Sequence, residues 1–324
     1  MPEPAASGYH PECIMQQQRD RTELLALGAL LGGALCTGGA GVLVRLSETG
    51  PVATAFWRGL LALPLLWTWA ALESRHSSPR RLPGARSILE NPGYLYGGIA
   101  FAGDLALWNW SLIHTSVAAS TLEANLAPLI VTLIAWVGWG ERPRPAFLMA
   151  LIMALSGMGL IVSPKLGQGG GALLGDAAGV GTACFYAAYL VVMAQLRARY
   201  GTGTVMFNTT VVFTALLLPL ALTQKILPDT AQGWAVLAGC AFAAQFLGQG
   251  LIAYALAHLP ATFSSVGLYL QSIGAAVCAW AVLGERLTPV QVAGGCIILT
   301  GIALASSARH RAPAPAPQSG PEPT

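Results

Sequence analysis

The chain has 324 residues, of which 54% are hydrophobic and only 10% are charged, and its mean hydropathy is +0.59. A soluble domain carries about 25% charged residues, so this composition excludes an ordinary water-soluble protein and indicates an integral membrane protein. The net charge of +3 does not indicate a nucleic-acid partner, because the basic residues are spread between long uncharged runs. The six cysteines lie far apart without metal-ligand spacing, so we expect no disulfide framework, metal site or cofactor.

The chain begins with a polar segment, residues 1–23, and ends with a Pro-rich segment, residues 308–324. Neither segment has apolar periodicity, so both are predicted to be disordered tails. Between them lie ten apolar runs close to the ~20 residues that a bilayer-crossing helix needs. We therefore predict an all-α integral membrane fold with ten transmembrane helices, at residues 24–44, 52–72, 94–113, 117–139, 146–163, 173–194, 204–224, 234–257, 261–283 and 289–307.

The distribution of basic residues predicts the orientation of these helices. The first run has no small-residue cleavage site after a short apolar core, so it is expected to be retained as a helix. With the N-terminus inside, twelve of the 17 Lys and Arg residues fall in cytoplasmic segments, four fall in outer loops, and Arg58 lies within a span. Cytoplasmic loops carry the excess of Lys and Arg. Both termini are therefore expected in the cytoplasm.

The chain contains an internal duplication. A shift of 144 residues superimposes Gly140-Glu141-Arg142 on Gly284-Glu285-Arg286, Ala135-Trp136 on Ala279-Trp280, Pro145 on Pro289, Gly157 on Gly301, His114 on His258 and Ser120 on Ser264. Each copy would hold five helices, an odd number, so the second copy enters the membrane from the opposite side. Residues 24–163 and 172–307 are therefore predicted to be inverted repeats, an arrangement that suits alternating access.

With these features the chain resembles the drug/metabolite transporter superfamily, specifically proteins with two EamA-type repeats. The resemblance rests on the ten helices, on the paired segments GERPRPAFLMALIMALSGMG and GERLTPVQVAGGCIILTG, and on the stretch DLALWNWSLIHTSVAASTLEANLAPLI. It implies a multi-pass exporter of metabolites in the bacterial inner membrane. Amino acids, including aromatic ones, are the cargo class that the resemblance implies first.

Three ionisable residues fall inside predicted spans: Arg58, Asp104 and Glu123. Each costs roughly 2.5 to 3.5 kcal/mol at a helix centre and is expected to face a cavity or a partner. At ~1.5 Å per residue, Arg58 and Glu123 reach similar depths, so we expect them to pair, either as a structural ion pair or within a cargo site. Asp104 lies near the midplane with Trp108 one turn away. It would bind a cargo ammonium group or a proton, or else bond a neighbouring helix.

The second half offers neutral polar residues at similar depths. Gln245 and Gln249 are four residues apart on the eighth helix, and Tyr269 and Gln271 lie on the ninth. Such residues either join helices or bind cargo by hydrogen bonds. Trp57 lies deeper than an interfacial tryptophan belt, as does the tryptophan near Asp104, and both could stack on an aromatic or cationic cargo.

The hypothesis from sequence is a secondary transporter that exports small amphipathic metabolites across the lipid bilayer, with proton coupling left open. A drug or quaternary-cation exporter of the same fold is the alternative, and it would need only a carboxylate and aromatic residues. A membrane-embedded transferase has no support, because no catalytic constellation of paired carboxylates or Ser/His/Asp lies near a membrane face. No catalytic residue is therefore assigned.

Overall fold

The computed structural model describes residues 11–75, 84–114, 123–140, 142–163, 173–284 and 288–310. Every regular element in these ranges is helical, which confirms the all-α prediction. The first half contains α1 (Pro11–Gly38), α2 (Ala40–Leu46), α3 (Pro51–Ser74), α4 (Ala85–Glu90), α5 (Pro92–His114), α6 (Ala127–Trp139) and α7 (Pro145–Val162). The second half contains α8 (Leu173–Arg197), α9 (Thr202–Ala221), α10 (Ala231–Gly239), the π-helical segment π1 (Cys240–Gln249), α11 (Gly250–Ala255), α12 (Ala261–Gly267), α13 (Leu270–Leu283) and α14 (Pro289–His310).

Helical segments lie at each of the ten predicted positions. Within the described ranges, six helices are long and apolar enough to cross a membrane: Arg21–Leu46, Pro51–Ser74, Ala177–Arg197, Thr202–Ala221, Ala231–Ala255 and Ala261–Val282. Three more are shorter apolar helices, Ala127–Trp139, Pro145–Leu160 and Pro289–Ala305. The number of membrane crossings stays a prediction.

Both ends of the helical region extend beyond their predicted limits. Helix α1 already includes Pro11, so residues 11–23 of the predicted N-terminal tail are helical, and α14 continues to His310. The segment after Pro11 has no Gly or Pro before Gly28 and suits a helix. Several sequence-based predictions lie outside the described residues: those for the tail ends 1–10 and 311–324, for the loop around Arg80, and for Glu141, Ser120 and Glu285–Arg286 of the repeated segments.

Helices α7 and α14 pack together through glycines that the internal shift relates. A Cβ atom at Gly157 would lie 2.6 Å from the carbonyl oxygen of Gly294, and one at Gly301 would lie 2.9 Å from that of Ala150. The shift of 144 residues carries Gly157 to Gly301 and Ala150 to Gly294. The two contacts are therefore the same contact made once by each repeat, and small residues let the two backbones touch.

The two halves of the chain are interleaved. Helix α3 packs along α9, α1 packs on π1 and α11, and α8 packs on α5. The internal shift relates α1 to α8 and α5 to the predicted span that contains π1 and α11. The contact of α1 with π1 and α11 in one direction therefore corresponds to the contact of α8 with α5 in the other. Helices α3, α5, α8 and the segment π1 take part in these contacts, and each of them carries a polar side chain of the site described below.

The ends of α3 and α9 cap each other reciprocally. The Glu73 carboxylate, near the end of α3, accepts the backbone N–H groups of Thr202 and Gly203 at 2.7 and 2.9 Å. The side-chain oxygen Oε1 of Gln224, just after α9, accepts the backbone N–H of Val52 at 3.0 Å. Since the first N–H groups of a helix have no partner within it, these bonds fix the pair at both ends.

The fourth and ninth helical segments are interrupted at equivalent positions. The sequence predicts continuous helices over 117–139 and 261–283, but turns precede α6 and separate α12 from α13. Pro128 has no N–H to bond the fourth preceding carbonyl, and Leu268 N–H is shared between the Ser264 and Ser265 carbonyls at 3.2 Å each. The shift of 144 residues carries the turn at 125–126 to 269–270, within one residue of the turn at 268–269.

Candidate functional site

A carboxylate and a guanidinium from adjacent helices define the centre of the site. Helix α5 supplies Asp104 and α3 supplies Arg58. Asp104 is only 9% exposed and lies within electrostatic range of the Arg58 guanidinium. No described side chain hydrogen-bonds the Asp104 carboxylate or forms an ion pair with it. The site therefore holds one positive and one negative group that attract each other without a direct bond.

Arg58 is held in place from one side. Its Nε–H donates to Gln245 Oε1 at 3.1 Å, and Gln245 Nε2 donates to the Thr210 hydroxyl at 3.1 Å. The guanidinium carbon lies 5.5 Å from the ring centre of Phe101, close enough for a cation–π contact. Among the described residues, the terminal guanidinium nitrogens have no hydrogen-bond partner. They can therefore bind a carboxylate with two parallel hydrogen bonds.

The segment π1 presents two glutamines to the site. π-Helices are rare and are frequent at functional sites. Gln245 is 1% exposed and Gln249 is 4% exposed. The Tyr186 hydroxyl, from α8, accepts a hydrogen bond from Gln271 Nε2 at 3.5 Å and interacts with the Gln249 amide. Tyr186 also lies within electrostatic range of Asp104 and Arg58, so it joins the glutamines to the charged pair.

A stack of aromatic rings lines the site beside Arg58. The Phe101 and Tyr189 rings stack with centres 4.5 Å apart, and the Tyr189 and Tyr186 rings are nearly parallel at 6.0 Å. The edge of Phe213 meets Phe101 at 5.1 Å. These rings form an apolar wall next to the two charges, and Phe101, Tyr189 and Phe213 are at most 2% exposed in this structure.

Several predicted site residues have other surroundings. Trp57 donates from Nε1 to the Ile226 carbonyl at 2.6 Å and makes an edge contact with Trp234 at 4.9 Å, so it fastens α3 to the segment before α10. Tyr269 donates to the Asn125 carbonyl at 2.9 Å and so joins the two interrupted helices. Trp108 is half-buried and makes no ring contact or hydrogen bond with the part of the chain that the structure describes.

Glu123 lies against α8, where its carboxylate would meet a Cβ atom placed at Gly179. Arg58 hydrogen-bonds Gln245, lies over the Phe101 ring and is within electrostatic range of Asp104, so the residues around it differ from the expected Glu123. Counting residues from the end of a span gives depth in the membrane. It does not give direction around the helix axis, which is why two residues at one depth need not meet.

The sequence-based site lacks Tyr186, Tyr189 and Phe101. Tyr186 is the fourteenth residue of the predicted span 173–194, so counting its depth would have placed it near the midplane with Asp104. The stacking with Phe101 depends on how α5 and α8 face each other, and the sequence carries no signal for that.

Comparison with known proteins shows what the chain is similar to. A sequence model of the EamA-like transporter family matches residues 24–163 and 173–307. The chain is 27% identical over 209 residues to the "Pseudopaline exporter CntI" of Pseudomonas aeruginosa (64% of this chain, 72% of the relative). It is 30% identical over 221 residues to the "Probable terminal-alkyne amino-acid exporter" of Streptantibioticus cattleyicolor (65% and 71%). A crystal structure of a protein with 17% sequence identity has the same fold, with a TM-score of 0.71 over 90% of this chain and 99% of the other.

Proposed function

Since the chain belongs to the EamA-like transporter family, we propose that it exports small amphipathic metabolites by alternating access, foremost amino acids including aromatic ones. It is a multi-pass membrane protein and a transporter rather than an enzyme. Two relatives are named as exporters of pseudopaline and of a terminal-alkyne amino acid, and this supports an amino-acid-like cargo. The excess of basic residues in alternate loops supports both termini in the cytoplasm and a place in a bacterial inner membrane.

The observation that carries the proposal is that buried Asp104 and half-buried Arg58 lie within electrostatic range of each other without a direct bond. The Asp104 carboxylate binds the cargo ammonium group, and the terminal nitrogens of Arg58 bind the cargo carboxylate. Ionisable groups inside membrane spans are expensive and face partners or cavities, and a zwitterion supplies a partner to each. The charges also match in number, with one of each sign.

The aromatic wall and the neutral polar groups would receive the rest of the cargo. The stacked rings of Phe101 and Tyr189 are suited to an apolar or aromatic side chain. Gln245 keeps Arg58 oriented through its hydrogen bond to Nε. Gln249 and Gln271 both interact with the Tyr186 hydroxyl, and their amides would hydrogen-bond polar groups of the cargo. Trp108, one turn from Asp104, would close the site on the same face of α5.

Alternating access is supported by the repeat architecture. Inverted repeats can exchange conformations and so open a central site to either face in turn. The interruptions before α6 and between α12 and α13 supply equivalent bending points in the two repeats, joined by the Tyr269–Asn125 hydrogen bond. Asp104 is also the group on which a coupling proton would compete with the cargo ammonium.

The rival function, export of drugs or quaternary cations, needs the carboxylate and the aromatic wall but not Arg58. A guanidinium beside the cargo repels a cation, so the presence of Arg58 disfavours this alternative. Glu123, which lies against Gly179 of α8, would contact the cargo as a second carboxylate, whereas Trp57 is engaged by the Ile226 carbonyl.

Efflux from proteoliposomes tests the proposal. Vesicles that contain the purified protein are loaded with one radiolabelled compound each, chosen from L-amino acids and from choline and tetraethylammonium. We expect efflux of amino acids above that of protein-free vesicles and none of the quaternary cations. Efflux of the quaternary cations alone would support the rival, and retention of every compound would contradict the proposal.

A further inference from the structure

One acceptor atom in the site remains unused. Gln249 Oε1 is fully buried and has no hydrogen-bond partner among the described residues. The Gln249 side chain interacts with the Tyr186 hydroxyl, which also accepts a hydrogen bond from Gln271 Nε2. Buried polar groups are almost always hydrogen-bonded, because an unmet one is costly.

The neighbouring donors are directed elsewhere. Arg58 Nε–H bonds Gln245 on the preceding turn of π1, and Gln245 Nε2 bonds the Thr210 hydroxyl. Gln249 lies beside Tyr186, and no described donor comes within hydrogen-bond distance of its side-chain oxygen.

We propose that Gln249 Oε1 is a specificity-determining acceptor, which selects cargo whose side chain carries an N–H or O–H donor. This inference rests on the proposed function, and it narrows the substrate class to amino acids with a phenol, indole, imidazole or amide side chain. The cargo ammonium is satisfied by Asp104, because a carboxylate is a stronger acceptor for a cation than a neutral amide. The amide oxygen is thus left for the cargo side chain, beyond the aromatic wall.

Matched ligand pairs test this inference. Binding to the purified protein in lipid nanodiscs is measured for L-tyrosine against L-phenylalanine, L-tryptophan against 1-methyl-L-tryptophan, and L-glutamine against L-methionine. A site built to bond a donor rejects a ligand that lacks it, because the acceptor stays unpaired. We expect the donor-bearing member of at least one pair to bind about 5- to 150-fold more tightly.

Two substitutions at one position isolate the acceptor. Gln249→Met removes the oxygen at similar volume, so the preference should fall to near unity through weaker binding of the donor-bearing ligand. Gln249→Glu keeps an acceptor oxygen and should retain the preference, which also covers the case in which the Met variant does not fold. Thr214→Val is the control, because it removes another buried unpartnered oxygen that packs against Gly59 in the α3–α9 interface. It should leave the preference unchanged.

The outcomes separate this inference from the proposed function. Binding of amino acids with no preference within any pair, or a preference that survives Gln249→Met, would overturn the role of Gln249 and leave the exporter proposal intact. Absence of binding and of efflux for every amino acid would instead contradict the proposed function itself.

Discussion

The substitution Asp104→Asn removes the negative charge of the site while nearly conserving the shape of the side chain. Asp104 makes no hydrogen bond with the described residues, so the substitution breaks none of the contacts that hold the helices together. It does remove the counter-charge of Arg58 and the proposed partner of the cargo ammonium. A hydrogen bond to a charged group contributes about 1.5 to 3 kcal/mol. Converted at 1.4 kcal/mol per decade, the dissociation constant of L-tyrosine should rise about 10- to 150-fold.

The assay is isothermal titration of the purified protein with L-tyrosine and with 3-(4-hydroxyphenyl)propionate, which lacks the ammonium group. Asp104→Asn should weaken binding of the first ligand and not of the second. Asp229→Asn is the matched control, because this carboxylate is 74% exposed and pairs with Lys225 four residues away. Surface pairs of this kind contribute little. Equal affinities of parent and Asp104→Asn for L-tyrosine, with normal thermal unfolding, would refute the ammonium-binding role of Asp104.

The remaining predictions concern packing, pH and topology. Gly157→Ala should lower stability by about 1 to 3 kcal/mol in thermal unfolding, because its Cβ meets a backbone oxygen at 2.6 Å, whereas Gly159→Ala, with nothing within 4 Å, should not. The pKa of Glu48 is held below its usual 4.5 chiefly by a threonine hydroxyl at the N-terminus of α10. The stabilisation that Glu48 contributes is therefore fully present above pH 4.5 and is lost as the pH falls through the lowered pKa. In unfolding curves recorded from pH 6 to 3, the parent should lose the stability that Glu48 contributes as the pH falls. Glu48→Gln should lack this pH-dependent loss. A cysteine at Arg80 should resist an impermeant reagent added outside, and one at His114 should react; the opposite labelling would contradict the predicted orientation.

Most of the fold could be predicted from the sequence, because the features that specify it are apolar runs of fixed length and an internal repeat. Apolar runs of the required length predict helices wherever the chain has them, and the shift of 144 residues predicts a repeat whose glycines then meet in space. Gly157 and Gly301 show this most directly, since the sequence pairs them and the structure gives them the same contact. The interruption before α6 has a partial signal in Pro128, but the one at Leu268 depends on shared hydrogen bonds without a distinctive residue.

Only part of the candidate site could be predicted from the sequence. Hydropathy singles out charged or amide residues within apolar spans, and this is how Arg58, Asp104, Gln245 and Gln249 were found. The aromatic wall has no such signal, since Tyr189 in a membrane helix is as compatible with packing as with binding. The direction of each side chain depends on tertiary contacts, as with Trp57, which turns away to bond the Ile226 carbonyl.

The central claim is that the site binds both charges of a zwitterion. The direct measurement is the affinity of the unmodified protein for three ligands that share one ring: L-tyrosine, tyramine, which lacks the carboxylate, and 3-(4-hydroxyphenyl)propionate, which lacks the ammonium group. With Arg58 and Asp104 each binding one end, L-tyrosine should bind at least about 10-fold more tightly than either of the others. Tyramine binding as tightly as L-tyrosine would contradict the role of Arg58 and favour a transporter of cations.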